Sequence, residues 1–324
     1  MNILRSTGDD SLAKVYIAEF GSGKVVEFVE SLQPPIPREK KWVLIVSTLF
    51  GCPVSCPICD AGGFYKGKLS KDEILAQIDY IVGRRFPDGF ISIEKFKIQF
   101  ARMGDPAFNT NVLDVLEELP DKYNAPGLMP CISTVAPSGT SRFFDRLLEI
   151  KQKLYSGKFQ MQFSIHSTNP EERDKLIPVK KWSFSDIAEY GKRFFRAGDR
   201  KIALNFALAE SSVIEPDVLQ RFFDPNLFMI KITPVNPTYN SVKNGIKSNI
   251  FADHNNNELV DSLKCAGYDT LISIGELKEN EIGSNCGQYV MRYLQNPVPL
   301  ANAYIFNLPS SPEELTAVSS KEAE

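Results

Sequence analysis

The sequence predicts an α/β fold, an open or closed (β/α) barrel preceded by a small β-hairpin. Three observations lead there. Strand-like and helix-like segments alternate from residue 42 onward, and such alternation builds βα units around a parallel sheet. The first strand of that series runs directly into a loop holding three cysteines, and barrels of this kind carry their chemistry on the loops after the strands. The chain has 324 residues, 43% of them hydrophobic, enough for one large α/β core with small attachments.

The elements follow in order. Residues 14–20 (KVYIAEF) and 24–29 (KVVEFV) read as two strands joined by Gly21-Ser22-Gly23, a hairpin signal. Gln33-Pro34-Pro35-Ile36-Pro37 is a linker, because proline lacks the amide that regular structure needs. Residues 42–48 form a buried strand. A helix spans 69–84, with Ser70 as N-cap and Glu73 at the capping-box offset. Further strands are expected at 96–101, 130–134, 159–165, 201–208, 228–233 and 270–274. Helices are expected near 110–119, 140–154, 184–197, 215–223 and 254–266. The order divides the chain into a hairpin extension and linker (1–40), a barrel core (41–275) and a C-terminal segment carrying Cys286 (276–308). A polar, acidic tail (309–324) is expected to be disordered.

Charge narrows the function. Lys and Arg number 37 against 40 Asp and Glu, a net charge of −3, so no global field draws the chain to nucleic acid. No DNA partner is expected, and an RNA partner needs a local basic patch. The longest apolar stretch, residues 42–46 with Leu49-Phe50 beyond, is far short of the ~20 residues of a spanning helix, so no membrane partner is expected. The N-terminus MNILRSTGDDSLAK lacks an apolar signal region. Six cysteines are too few for a disulfide scaffold, and this points to a cytoplasmic, reducing compartment.

Cys52, Cys56 and Cys59 have the spacing C-x3-C-x2-C. A [4Fe–4S] cluster normally takes four thiolates, one per iron, so three ligands leave one iron open to a substrate or cofactor. A structural zinc site with a distant fourth ligand is the alternative, although zinc motifs usually come as two C-x2-C pairs. Three unrelated buried cysteines are a third reading. The spacing resembles the radical S-adenosylmethionine (SAM) superfamily, whose open iron binds the amino and carboxylate groups of SAM. Ile58 stands where many members have an aromatic residue.

The remaining motifs narrow the likeness. Ser47-Thr48-Leu49-Phe50-Gly51-Cys52 resembles the approach to the cluster in the dual-specificity RNA adenine methylases (RlmN/Cfr type). Met103-Gly104-Asp105-Pro106 with Asn109 resembles M-G-E-P-x-x-N, and Ser133-Thr134 with Pro137 resembles S-T-S-G-x-x-P. Residues 164–169 (SIHSTN), with Arg173-Asp174 and Ile177-Pro178, resemble S-L-H-A-x-N-x-x-x-R-D-x-x-x-P. Residues 234–237 (PVNP) resemble P-W-N-P, and Asn285-Cys286-Gly287-Gln288 resembles A-C-G-Q. The likeness runs from about residue 13 to about residue 295. It implies a partial (β/α) TIM-type barrel, a [4Fe–4S] cluster on the three cysteines, SAM as second cofactor and a reductant such as flavodoxin or ferredoxin. It also implies SAM contacts from Gly104, Asp105, Ser133, Ser164, His166 and Asn236. For Ser133 and Ser164 local turn chemistry is the competing role.

The same resemblance implies a mechanism. An adenine ring carbon is electrophilic, so it cannot attack the SAM methyl directly. Cys286 resembles the cysteine that takes a methyl from one SAM. A deoxyadenosyl radical from a second SAM then abstracts hydrogen from that S-methyl, and the carbon radical adds to the base. Glu27 in Val26-Glu27-Phe28-Val29 resembles V-E-T-V, whose glutamate removes the ring proton. A solvated edge-strand charge is the competing role for Glu27, and a small buried apolar residue the one for Cys286.

Three departures bear on the substrate. The family's second cysteine, which releases product by forming a disulfide, is here Ile45; Cys131 or Cys265 could substitute although both read as core cysteines, release could take another route, or the chemistry has diverged from methyl transfer. The family's N-terminal helical domain has no counterpart. The approach to Cys286, residues 275–281 (GELKENE), is acidic and repels phosphate. The basic stretches are Arg38 with Lys40-Lys41, Lys175 with Lys180-Lys181, and Arg193-Arg196-Arg200-Lys201, each otherwise a solvated face. A small molecule, nucleotide or peptide is therefore the alternative substrate to RNA, and a zinc-stabilised binding module is the non-enzymatic reading.

Overall fold

The computed structural model describes residues 1–21, 23–248, 257–273, 277–284 and 290. Ten strands form one sheet in chain order: β1 (Asn2–Gly8), β2 (Ala13–Glu19), β3 (Val25–Ser31), β4 (Trp42–Val46), β5 (Phe96–Phe100), β6 (Leu128–Thr134), β7 (Gln160–Ser164), β8 (Ile202–Leu208), β9 (Phe228–Pro234) and β10 (Thr270–Ile272). Strands β1 to β4 pair antiparallel, and every pair from β4 to β10 is parallel. The parallel part is a partial TIM-type barrel, its strands joined by α1 (Lys71–Arg85), α2 (Asn111–Lys122), α3 (Ser141–Leu154), α4 (Pro170–Leu176), α5 (Phe184–Phe194), α6 (Pro216–Phe222), α7 (Tyr239–Lys243) and α8 (Asn257–Cys265). A ninth helix, α9 (Leu277–Ile282), follows β10.

Alternation explains the layers. On β4, β5, β7 and β9 the residues Trp42, Leu44, Val46, Phe96, Ile98, Phe100, Met161, Phe163, Ile230 and Ile232 enter one hydrophobic core beneath the helices. The opposite, concave face carries Gln99, Ser133, Gln162, Ser164, Asn205 and Lys231. A polar wall of this kind suits a ligand cavity better than a filled barrel centre. Helix α1 begins with the expected reciprocal cap between Ser70 and Glu73. Its buried Gln77 bonds Ser47 at both backbone groups, 2.9 Å and 3.0 Å, and so fixes the exit of β4.

The differences from the expected elements are local. The strand expected at 42–48 stops at Val46 because Ser47 and Thr48 turn to bond Met103 instead. Strand β1 was unforeseen: its sequence NILRSTG is polar, and it lies exposed at the sheet edge. Helices α4, α7 and α9 have only seven, five and six residues, too short for a period of 3.6 to register. The hairpin extension is welded to the barrel by buried Glu30, which accepts from Arg85 Nε at 2.7 Å, Trp42 Nε1 at 3.1 Å and Tyr16 Oη at 3.3 Å, and pairs with Arg38.

Candidate active site

Cys52, Cys56 and Cys59 lie on the loop between β4 and α1, partly exposed and free of disulfides. Burial pushes the Cys52 thiol up to about 11, against hydrogen bonds from the Val54, Asp105 and Ser55 amides. Burial pushes Cys56 well above the ordinary thiol range, and its neighbours Cys59 and Cys52 add to that. Cys56 therefore sits within electrostatic reach of both Cys52 and Cys59. Cys52, Cys56 and Ile58 pack on a separate apolar cluster of Val54, Val135, Leu176 and Ile177.

Among the described residues no three Cys, His, Asp or Glu side chains converge tightly enough to hold a single metal ion. A mononuclear zinc site with Zn–S near 2.3 Å would bring its sulfurs to about 3.8 Å apart. In a cubane each thiolate takes its own iron, so the sulfurs stand wider. A thiol in reach of two others, an apolar surround and amide donors to sulfur fit an iron–sulfur cluster.

The loop is held from three sides. Thr48 and Leu49 amides donate to the Met103 carbonyl at 2.9 Å and 3.0 Å. Fully buried Asn109 donates to the Thr48 and Leu69 carbonyls, both at 2.8 Å, and so ties the two ends of the loop together. Gly51 has φ +83°, and a side chain there would strike the Phe64 carbonyl. The third side was not foreseen. Thr238 Oγ1 donates to the Ile58 carbonyl at 3.0 Å, Asn240 Nδ2 to the Cys59 carbonyl at 2.8 Å and Asn244 Nδ2 to the Pro57 carbonyl at 2.9 Å. In return Asp60 accepts the Tyr239 and Asn240 amides at 3.1 Å and 2.8 Å. The start of α7 thus clamps the cysteine loop. The only signal in the sequence was Thr238 as N-cap to Ser241.

The expected SAM contacts cluster at the same ends of β5 to β9. Gly104 has φ +88°, and any side chain would collide with Leu49. Asp105 is buried and already accepts three hydrogen bonds, from Ala107 N at 2.9 Å, Thr134 Oγ1 at 2.7 Å and Val135 N at 2.7 Å. Burial pushes it up to about 6 despite those donors. Of roughly four lone-pair positions on a carboxylate, about one remains for a ligand ammonium. Ser133 Oγ accepts from Gln162 Nε2 at 2.9 Å, and Ser164 lies in register with Asn205. His166 is buried at φ +65°, and its Nδ1 accepts from the Ala207 amide at 3.0 Å, which leaves the proton on Nε2. Burial, with Arg173 nearby, lowers its pKa to about 4, so it is a neutral donor. The Asn236 carbonyl accepts from Thr238 N and Ser241 Oγ, which shapes the turn into α7. Buried Arg173 donates Nη1 to the Trp182 carbonyl at 3.0 Å, while its Nε and Nη2 and the Asn205 Oδ1 have no protein partner.

Glu27 is not a solvated edge charge. It is fully buried, forms an ion pair with Arg102 Nη2 at 2.5 Å and accepts the Val290 amide at 3.1 Å. It touches the same site, since its own amide contacts Met103 Sδ at 3.3 Å and its carbonyl accepts from Ser47 Oγ at 2.5 Å. Cys286 and the tail from 309 lie outside the described residues. Ile45 pairs with Val29, and the line Ile45–Gln99–Cys131 runs across β4, β5 and β6, so Cys131 is the described thiol in register with Ile45. Cys131 is buried as a core cysteine, whereas Cys265, expected in the core, is exposed at the end of α8.

Half of the residues in the basic stretches are paired with carboxylates. Arg38 pairs with Glu30, Lys40 with Glu94, Lys181 with Asp174 at 2.5 Å, Arg193 with Asp145 at 2.8 Å and Lys201 with Asp269 at 2.7 Å.

No family model matches the chain. Curated relatives do. The ribosomal RNA large subunit methyltransferase N of Nitrosopumilus maritimus is 25% identical over 293 residues, covering 88% of this chain and 79% of that protein. Probable dual-specificity RNA methyltransferases RlmN of Pseudothermotoga lettingae and Trichormus variabilis are 26% and 28% identical, over 86% and 63% of this chain. The chain spans 76% of the first of these and 53% of the second. Among solved structures, a radical SAM methyltransferase from Sphaerobacter thermophilus superposes with a TM-score of 0.66, covering 89% of this chain and 80% of that one at 18% identity.

Proposed function

We propose that this chain, a radical SAM enzyme resembling the RlmN-type RNA methyltransferases, transfers a one-carbon unit to its substrate through Cys286. The observation that carries the reading is the cysteine loop: three thiols at the end of the first parallel strand, Cys56 in reach of the other two, wrapped in apolar side chains. Cys52, Cys56 and Cys59 would hold a [4Fe–4S] cluster, which supplies the electron that cleaves SAM to a 5′-deoxyadenosyl radical.

The chain's own groups do the rest. Gly104, at a positive φ and packed under Leu49, turns the chain so that Asp105 can offer its remaining acceptor position to the SAM ammonium. Neutral His166 donates through Nε2, and Ser133, Ser164 and Asn236 line the same strand ends. Arg173 has two unpartnered donor atoms for a carboxylate or ring nitrogen. Cys286 carries the methyl group, and Glu27 takes the proton from the substrate carbon. Release then requires a thiolate to attack Cys286 Sγ and expel the product carbon as a disulfide forms; with Ile45 at the family's position, Cys131, in register with it, is the described thiol for that step. Arg102 gives that buried carboxylate the countercharge it needs. RNA is the proposed substrate, on the likeness to the curated relatives.

Anaerobic reconstitution is expected to give about four irons per chain and reductant-dependent 5′-deoxyadenosine. The Cys52→Ala, Cys56→Ala, Cys59→Ala protein should give neither; if it still cleaves SAM, the cluster assignment fails. Mass spectrometry after incubation with SAM should find a methyl on Cys286. Salt-dependent binding to a ribosomal RNA fragment tests the substrate, and its absence would favour a small molecule.

A further inference from the structure

We infer that Arg102 is a positioning residue: together with Glu27 it fastens the backbone on both sides of Cys286. The inference rests on the reading of Cys286 as the one-carbon carrier. Arg102 is 5% exposed and comes two residues after the end of β5, ahead of Met103 and Gly104. Its Nη1 donates to the Ser284 carbonyl at 3.0 Å and its Nη2 to the Gly283 carbonyl at 2.5 Å. Nη2 also pairs with Glu27 Oε1. On the other side, Glu27 Oε2 accepts the Val290 amide at 3.1 Å, and Val290 is fully buried in the main core. Cys286 stands two residues after Ser284 and four before Val290 in the sequence.

The chemistry of the pair favours this role. A guanidinium fork can serve two carbonyls and a carboxylate at once, which a point charge cannot. A buried ion pair is costly to desolvate and adds little stability by itself, so its value lies in what it specifies. Here it specifies where a chain segment 181 and 182 residues away meets the ends of β3 and β5. The neighbouring helix α9 leans on the same surface, with Ser31 Oγ 3.5 Å from Glu279 Oε1 and Ile282 against Gly8.

The test is hydrogen–deuterium exchange on the full-length protein without SAM, read by mass spectrometry of peptides covering 281–292. In Arg102→Ala the exchange there should rise about tenfold or more, while peptides from α1 and α3 stay unchanged. Arg102→Lys should recover only part of the protection. Should Arg102→Ala fail to fold because Glu27 is left unpaired, the Glu27→Gln, Arg102→Met protein removes both charges and keeps the bulk. Faster exchange at 281–292 in that folded protein supports the anchor; unchanged exchange overturns it. In the reconstituted enzyme, Arg102→Ala should slow Cys286 methylation while leaving iron content unchanged. A wild-type protein that shows the exchange pattern but gains no methyl on Cys286 sinks the function and leaves the anchor standing.

Discussion

At the scale of single residues, His166 and Asp105 are tested in different ways. His166 has a folded pKa of about 4 against about 6.5 in an unfolded chain. Between those values the unfolded state binds more protons, so the stability His166 allows is complete above pH 6.5 and is lost as pH falls through 4. The loss is on the order of 3 kcal/mol. Urea unfolding at both ends of that window, for wild type and His166→Gln, checks it; the variant should show the shallower acid loss. Asp105 poses a different test. Its three accepted hydrogen bonds join the turn after β5 to the end of β6. Asp105→Ala should cost about 2–4 kcal/mol by thermal or chemical unfolding, because it orphans buried donors.

At the scale of elements, the clamp from α7 makes the cysteine loop rigid. Asp60→Ala removes the acceptor for two α7 amides. Circular dichroism should show the fold retained, and a chelator should strip iron about three- to tenfold faster than from wild type. The clamp also marks the limit of sequence reading. The strands from 42 to 272 were legible because their outward faces alternate in apolar residues, and the helices because their periods span two turns or more. The cysteine triad stands out in the sequence because its three thiols lie within eight residues. The role of Glu27 was ambiguous, since only the folded chain brings Arg102 and Val290 onto it. Asp60, Thr238 and Asn240 carry no local pattern linking them, because their contacts cross some 180 residues.

At the scale of the whole molecule, charge is unevenly placed. Lys95, Lys97, Arg200 and Lys231 all act electrostatically on Lys41, and Lys41, Lys95, Lys97 and Arg200 stand at or just before the N-terminal ends of parallel strands, away from the cysteine loop. Burial first, then these neighbours, lowers Lys41 to about 8. The repulsion opposes folding, so Lys97→Gln should stabilise by about 0.5 kcal/mol at low ionic strength, and less as salt screens it. Melting curves at low and high sodium chloride read both numbers.

The fastening of the cysteine loop by α7 has a consequence for how the protein fails. Cysteines encoded near the start of the barrel depend for their placement on residues encoded near its end. Heat or urea that peels β10, β9 and α7 off the open side of the sheet would release a bound cluster while the first half is still intact. Bleaching of the cluster's visible absorbance should therefore precede the loss of helical signal in any melt.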